Sequence, residues 1–111
     1  NTKIIMQRNE RVANFIKELS ASFLGRENNR TSLITVTSCT ISPDIKRATI
    51  FITVLPESKE TSALEFTKRK RTELRDYLKK NMKTKIIPFI DFEIDRGEKN
   101  RQKIDELLRN G

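Results

Sequence analysis

"EFTKRKRTELR", Glu65 to Arg75, sets four consecutive basic residues, Lys68 to Arg71, inside a stretch that otherwise reads as one long helix. At ~100° per residue, Ala63, Leu64, Thr67, Leu74, Leu78 and Met82 share one arc, with Phe66 and Tyr77 at its edge. Lys70 and Arg71 project into the same arc, where a straight helix would press both charges against a core. Either their stems lie along the apolar surface with the heads in water, or the helix kinks and the charges leave the packed face. Lys68, Arg75 and Lys79 form a stripe on a neighbouring face. The Ser-x-x-Glu spacing of Ser62 and Glu65 predicts a capping box, hence a helix from near Ala63 to about Met82.

The charge is local. Between residues 68 and 85 lie nine basic residues (Lys68, Arg69, Lys70, Arg71, Arg75, Lys79, Lys80, Lys83 and Lys85) beside two acids, Glu73 and Asp76. The rest of the chain, 14 basic against 13 acidic, is near neutral, although the whole carries a formal +8. Solvated helix faces usually mix both signs. One dominant sign points to a polyanionic partner.

Outward from this stretch the elements are short and regular. From about Gln7 to Leu24, Val12, Phe15, Ile16, Leu19 and Phe23 repeat with helical spacing, and Gly25 follows where a left-handed stop is expected. Residues 31–41 and 46–55 are rich in Thr, Val and Ile, and the second run alternates Ala48, Ile50, Ile52 and Val54 on one face. Pro43 and Asp44 between them are the central residues of a type I turn, giving a β-hairpin. In "IIPFIDFEID", Ile90, Phe92 and Ile94 point inward and Asp91, Glu93 and Asp95 outward, with Pro88 at the start or on an edge. Asp95 and Glu98 are spaced as a second capping box before a short helix with Ile104, Leu107 and Leu108. The order is α-β-β-α-(kink)-α-β-α.

With 111 residues and 35% hydrophobic content, the chain reads as one domain, residues 1–111. No apolar run approaches the roughly 20 residues that span a bilayer, and no signal-peptide pattern opens the chain, so it reads as soluble with no membrane partner. The single Cys39, inside a strand, reads as a small buried hydrophobe in a reducing compartment. The chain opens at Asn1 without Met, which leaves room for a removed N-terminal extension.

Enzymatic chemistry has little to use. There is no His, so Ser-His and Cys-His nucleophiles are excluded, and the three glycines stand apart rather than in a phosphate loop. Asp91, Glu93 and Asp95 share a strand face and could hold Mg²⁺, which would make a metal-dependent nuclease, but alternating acids are what a solvated strand face shows anyway.

Helix one ("RVANFIKELSASFL"), the hairpin ("VTSCTISPDIKRATIFITVL") and "LRDYLKKNMKTKIIPFIDFEID" followed by "RGEKNRQKIDELL" together resemble the ribosome-binding factor A family over about residues 7 to 109. The most specific match is Leu74, Arg75, Leu78, Pro88, Ile90, Phe92, Asp95, Ile104, Leu107 and Leu108 in register. The resemblance implies an α+β, type II KH-like fold, α-β-β-α-(kink)-α-β with a short C-terminal helix and a three-stranded sheet packed against helices. It also implies a non-catalytic assembly factor without cofactor or small-molecule substrate. Such a factor binds 16S rRNA on free 30S subunits, assists late maturation and 5′-end processing, and acts as a monomer in the bacterial cytoplasm, or in an organellar stroma or matrix if an extension was removed.

Two departures stand out. The family's Ala-x-Gly kink falls on Lys70, Arg71 and Thr72, so the bend is either shallower or held by Thr67 or Thr72 hydroxyls bonding back to the backbone. "NNRTS" replaces an Asp-Pro-Arg segment before the first strand. The expected RNA surface is Lys68, Arg69, Lys70, Arg71, Arg75, Lys79, Lys80, Lys83 and Lys85, with Lys46 and Arg47 as weaker members. With no Trp and Tyr77 at a packed edge, base stacking is expected to be minor. The alternative is a module that binds an acidic protein through the basic helix or the hairpin edge.

Overall fold

The alternating apolar residues of the second hairpin strand form the centre of the molecule. A computed structural model of the chain describes residues 2–27, 32–83 and 86–97, with side chains from Asn9 onward. The elements are α1 (Thr2–Glu27), β1 (Leu33–Ile41), β2 (Arg47–Leu55), a 3-10 turn (Glu57–Lys59), α2 (Glu60–Arg69), α3 (Arg71–Asn81) and β3 (Phe89–Ile94). The sheet order is β1-β2-β3, with β1 antiparallel and β3 parallel to β2. α1 packs on β1, α2 spans β2 and β3, and α3 lies against α1 and β3. This is the expected α+β, KH-like architecture. Arg96 and Gly97 are helical directly after Asp95, while Glu98 of the second capping box and the rest of the C-terminal helix lie outside the described residues.

The core forms where the two periodicities meet. Ala48, Ile50, Ile52 and Val54 of β2 and Ile90 and Phe92 of β3 are buried against Ile16, Phe23 and Leu24 of α1, Ala63 of α2 and Leu74 and Leu78 of α3. Each Val, Leu, Ile or Phe side chain fully buried in this way contributes about 1.5–3 kcal/mol relative to exposure. The hairpin turns at Pro43 and Asp44, closed by the Ile45 N–H donating to the Ser42 carbonyl at 2.9 Å. Asp44 Oδ1 organises the same turn, accepting from the Ser42 hydroxyl at 2.6 Å and the Lys46 N–H at 3.1 Å.

Two local signals are overridden. Gly25 does not stop α1: no glycine has a positive φ among the described residues, and the helix continues to Glu27. The reason is tertiary, since the last turn is held from outside by Arg26 stacked 4.9 Å over the Tyr77 ring and Glu27 3.6 Å from Lys70 Nζ. Nor does Ser62 cap α2. The helix begins at Glu60, directly after the 3-10 turn, and the Ser62 hydroxyl instead donates to the Lys59 carbonyl at 3.1 Å, as an intrahelical residue would.

The long helix does break. Lys70, at φ −89° and ψ 3°, separates α2 from α3. This bridge conformation needs no positive φ, so the missing glycine leaves no steric conflict with Thr72. The hydrogen-bond ladder is only bent: Lys70 N–H reaches the Phe66 and Thr67 carbonyls, and Leu74 N–H reaches the Lys70 carbonyl at 2.9 Å. The buried Thr67 hydroxyl donates to the Leu64 carbonyl at 2.7 Å, and Arg71 Nε donates to the Lys68 carbonyl at 3.1 Å. Of the two ways to hold this junction, hydroxyl back-bonding is therefore present at Thr67, joined by an arginine cap.

Candidate nucleic-acid interface

Because α3 starts afresh at Arg71, its side chains are rotated relative to those of α2, and residues four apart now share a face. Arg71, Arg75 and Lys79 follow one another in this way along the side of α3 that borders the lead into β3. Arg71 Nη1 lies 3.4 Å from Asp91 Oδ1, and its guanidinium carbon sits 5.5 Å from the centroid of the Phe89 ring. One turn on, Arg75 Nη2 donates to the Ile87 carbonyl at 3.2 Å. Lys68, from the last turn of α2, approaches the same Asp91 oxygen at 4.0 Å.

The sheet delivers two more cations to this place. Phe89 N–H donates to the Lys46 carbonyl at 2.8 Å, and Arg47 is the register partner of Phe89 in the parallel pair. Lys46 and Arg47, the weaker members of the expected set, are thus beside the start of β3 with Arg71 and Arg75. A long stretch of sequence separates the two groups, so only the crossover between β2 and β3 could bring them together.

Other members are placed elsewhere. Lys70 turns toward α1, 3.6 Å from Glu27 and 3.3 Å from Glu73, with its ammonium 5.8 Å from the Phe66 ring centroid. Arg69 and Lys80 are exposed on the sides of α2 and α3 that point away from the core, and Lys83 is exposed beyond α3. Lys85 lies outside the described residues. Among the described residues, Arg69, Lys79, Lys80, Lys83, Lys46 and Arg47 form no salt bridge, although Lys46 lies close enough to Asp44 to help lower its carboxyl below the usual range. By contrast, Asp91 partly offsets Lys68 and Arg71. Such half-exposed pairs contribute only about 0–1 kcal/mol each, so a phosphate can compete for these cations.

No three His, Cys, Asp or Glu side chains are grouped to hold a metal ion among the described residues. Asp91 accepts from Phe92 N–H at 2.9 Å besides its two cations, and the Thr37 hydroxyl donates to Asp95. Cys39 is partly buried against the core, and desolvation raises its thiol to about 11, as expected for an unreactive cysteine.

One residue outside the expected set stands at the centre of this surface. Phe89 is 58% exposed although its neighbours Pro88 and Ile90 are buried. The signal was present in the strand alternation: if Ile90 and Phe92 face inward, Phe89 shares its outward parity with Asp91.

A family model described as "Ribosome-binding factor A" matches residues 8–108. Ribosome-binding factor A of Magnetococcus marinus is 30% identical over 105 residues, covering 91% of this chain and 85% of the relative. That of a Methylobacterium species is 31% identical over 109 residues, covering 94% of this chain and 78% of the relative. The crystal structure of ribosome-binding factor A from Thermus thermophilus superposes with a TM-score of 0.72 at 19% identity, over 79% of this chain and 97% of that one, a likeness of fold. With the family model spanning nearly all of it and these relatives aligned along most of their length, this chain belongs to the ribosome-binding factor A family.

Proposed function

We propose that this chain is a non-catalytic assembly factor of the small ribosomal subunit, binding 16S rRNA on free 30S particles and assisting late maturation, including processing of the rRNA 5′ end. Membership of a family named for ribosome binding supports the partner. The observation that supports the mode is the convergence of Lys68, Arg71 and Arg75 with Lys46 and Arg47 around the start of β3, with Lys79 further along the same side of α3. Cations on phosphates release condensed counterions, so affinity falls with salt, with a log–log slope of roughly −0.7 per contacted phosphate on single strands. Binding of this kind needs no bond to be made or broken. It favours one rRNA conformer only by the difference in affinity between conformers.

In this reading residues 1–111 act as one domain and as a monomer, with neither cofactor nor small-molecule substrate. Arg69, Lys70, Lys80, Lys83 and Lys85 contribute to the field around the contact surface. No helix among the described residues is long and apolar enough to cross a membrane, and the reading places the chain with bacterial-type ribosomes in the cytoplasm, or in an organellar stroma or matrix.

The test is co-sedimentation with free small subunits and with mature ribosomes at two salt concentrations, with and without nuclease. Selective association with free small subunits that weakens with salt and is lost on nuclease treatment is expected. Association that survives nuclease would overturn the RNA reading in favour of an acidic protein partner held by the basic helix or the hairpin edge.

A further inference from the structure

An isolated exposed phenylalanine needs no explanation, because folded surfaces carry many apolar atoms. Phe89 is not isolated. The guanidinium of Arg71 is fixed over its ring by bonds to the Lys68 carbonyl and the Asp91 carboxylate. Arg75 is fixed alongside by the Ile87 carbonyl, and Arg47 is the neighbour of Phe89 across the sheet. Arg71, Thr72, Arg75, Phe89 and Ile90 line a cleft of about 190 Å³. Two flat groups, one aromatic and one cationic, are therefore held together at a small cleft with two further guanidinium-bearing residues beside it.

We infer that Phe89 and Arg71 form a stacking site for one unpaired nucleobase, with Arg47 and Arg75 beside it to meet the flanking phosphates. This rests on the RNA-binding reading above and deepens it by naming the substrate class as single-stranded RNA. Every nucleobase has a π face, so a phenyl ring and a guanidinium plane take any of them with little sequence preference. A base within a duplex has both faces covered by its neighbours and its edges paired, so it cannot enter such a site. Because Arg71 is already pinned, little of its side-chain freedom is lost when a base arrives. Base stacking, expected to be minor from the absence of Trp, is in this account a principal contact.

The experiment is a fluorescence-anisotropy titration of a short single-stranded RNA and a blunt RNA duplex at fixed salt, with the wild type, Phe89→Ala and Phe89→Trp. Because Phe89 is exposed, the variants are expected to stay folded, and thermal melts serve as the control. The expected result is a roughly tenfold loss of single-strand affinity in Phe89→Ala, with duplex binding and the salt slope unchanged. Phe89→Trp should restore the affinity, and its indole fluorescence should be quenched by single-stranded RNA. If the wild type binds both RNAs with the expected salt dependence and Phe89→Ala binds like it, or loses both equally, the stacking site is overturned and the electrostatic reading stands. If the wild type binds neither RNA, both fall.

Discussion

Arg71 and Asp91, 20 positions apart in the chain, meet with Nη1 3.4 Å from Oδ1 at the edge of β3. The N–H groups of Phe89 and Asp95 point toward β2, so that of Phe92, of opposite parity, points to the open side of this outer strand. Asp91 accepts that N–H, while Arg71 caps the Lys68 carbonyl freed at the helix break. One ion pair thus joins the end of α2 to the edge of the sheet and blunts an edge that could otherwise pair with another chain. Charge interrupts the helix because Arg71 closes the break and, with Lys68, turns outward to the edge of β3, while Lys70 turns to Glu27 of α1.

Asp91→Asn separates the structural role of this pair from its electrostatic one. The amide oxygen still accepts from Phe92 N–H, so stability should change by no more than about 1 kcal/mol. Lys68 and Arg71 lose their competing anion, and affinity for single-stranded RNA should rise a few-fold (~2–5) at low salt. Thermal melts and anisotropy titrations read both effects, and weaker binding in this variant would contradict the picture of Asp91 as a competitor for these cations.

Between Arg71 and Asp91 themselves, a double-mutant cycle with alanine at each should return a coupling of about 0.5–1 kcal/mol. A coupling near zero in urea unfolding would mean that the helix junction is held without this contact.

Ile45 has φ 59°, a left-handed conformation in a β-branched residue at the end of the hairpin turn. That conformation costs an L-residue about 1–2 kcal/mol, and glycine adopts it without strain. Ile45→Gly should therefore stabilise the protein by about 1 kcal/mol despite the greater freedom of glycine in the unfolded chain. A lowered melting temperature would show that the Ile45 side chain contributes more by packing than its backbone loses.

Cys39 gives a prediction in pH. Burial raises its thiol from 9.0 to about 11, so between these values the unfolded chain has lost a proton that the native protein keeps. Its contribution to stability is intact below about pH 9 and is lost as pH rises toward 11. Iodoacetamide labelling of native protein near pH 9 should be more than roughly tenfold slower than labelling in urea. Equal rates would mean that the thiol is not buried as described.

Much of this architecture is legible in the chain because local pattern and tertiary packing agree. The alternation of Ala48, Ile50, Ile52 and Val54 matches their burial in β2, and Pro43 and Asp44 turn the hairpin as their chemistry predicts. Where neighbours intervene, local rules fail. Gly25 stays helical because Arg26 and Glu27 are held by Tyr77 and Lys70, and Ser62 is no cap because the 3-10 turn at Glu57 starts the helix earlier. Strand alternation says which side chains face inward but not which strand lies alongside, so the parallel pairing that places Arg47 beside Phe89 could not be read from it. The same limit explains why a list of basic residues did not separate those near the edge of β3 from those on the backs of α2 and α3.

The most direct measurement compares two double substitutions of equal charge on free small subunits. Arg47→Ala with Lys79→Ala removes one cation beside the start of β3 and one further along the same side of α3, and Arg69→Ala with Lys80→Ala removes two from the outer sides of α2 and α3, so both variants have the same net charge. If RNA is held at the surface beside β3, the first variant should lose roughly tenfold or more in affinity and flatten the log–log salt slope by ~1.4, while the second should stay within about twofold of wild type. Equal losses in the two variants would show that only overall charge matters and would contradict a binding surface at this place.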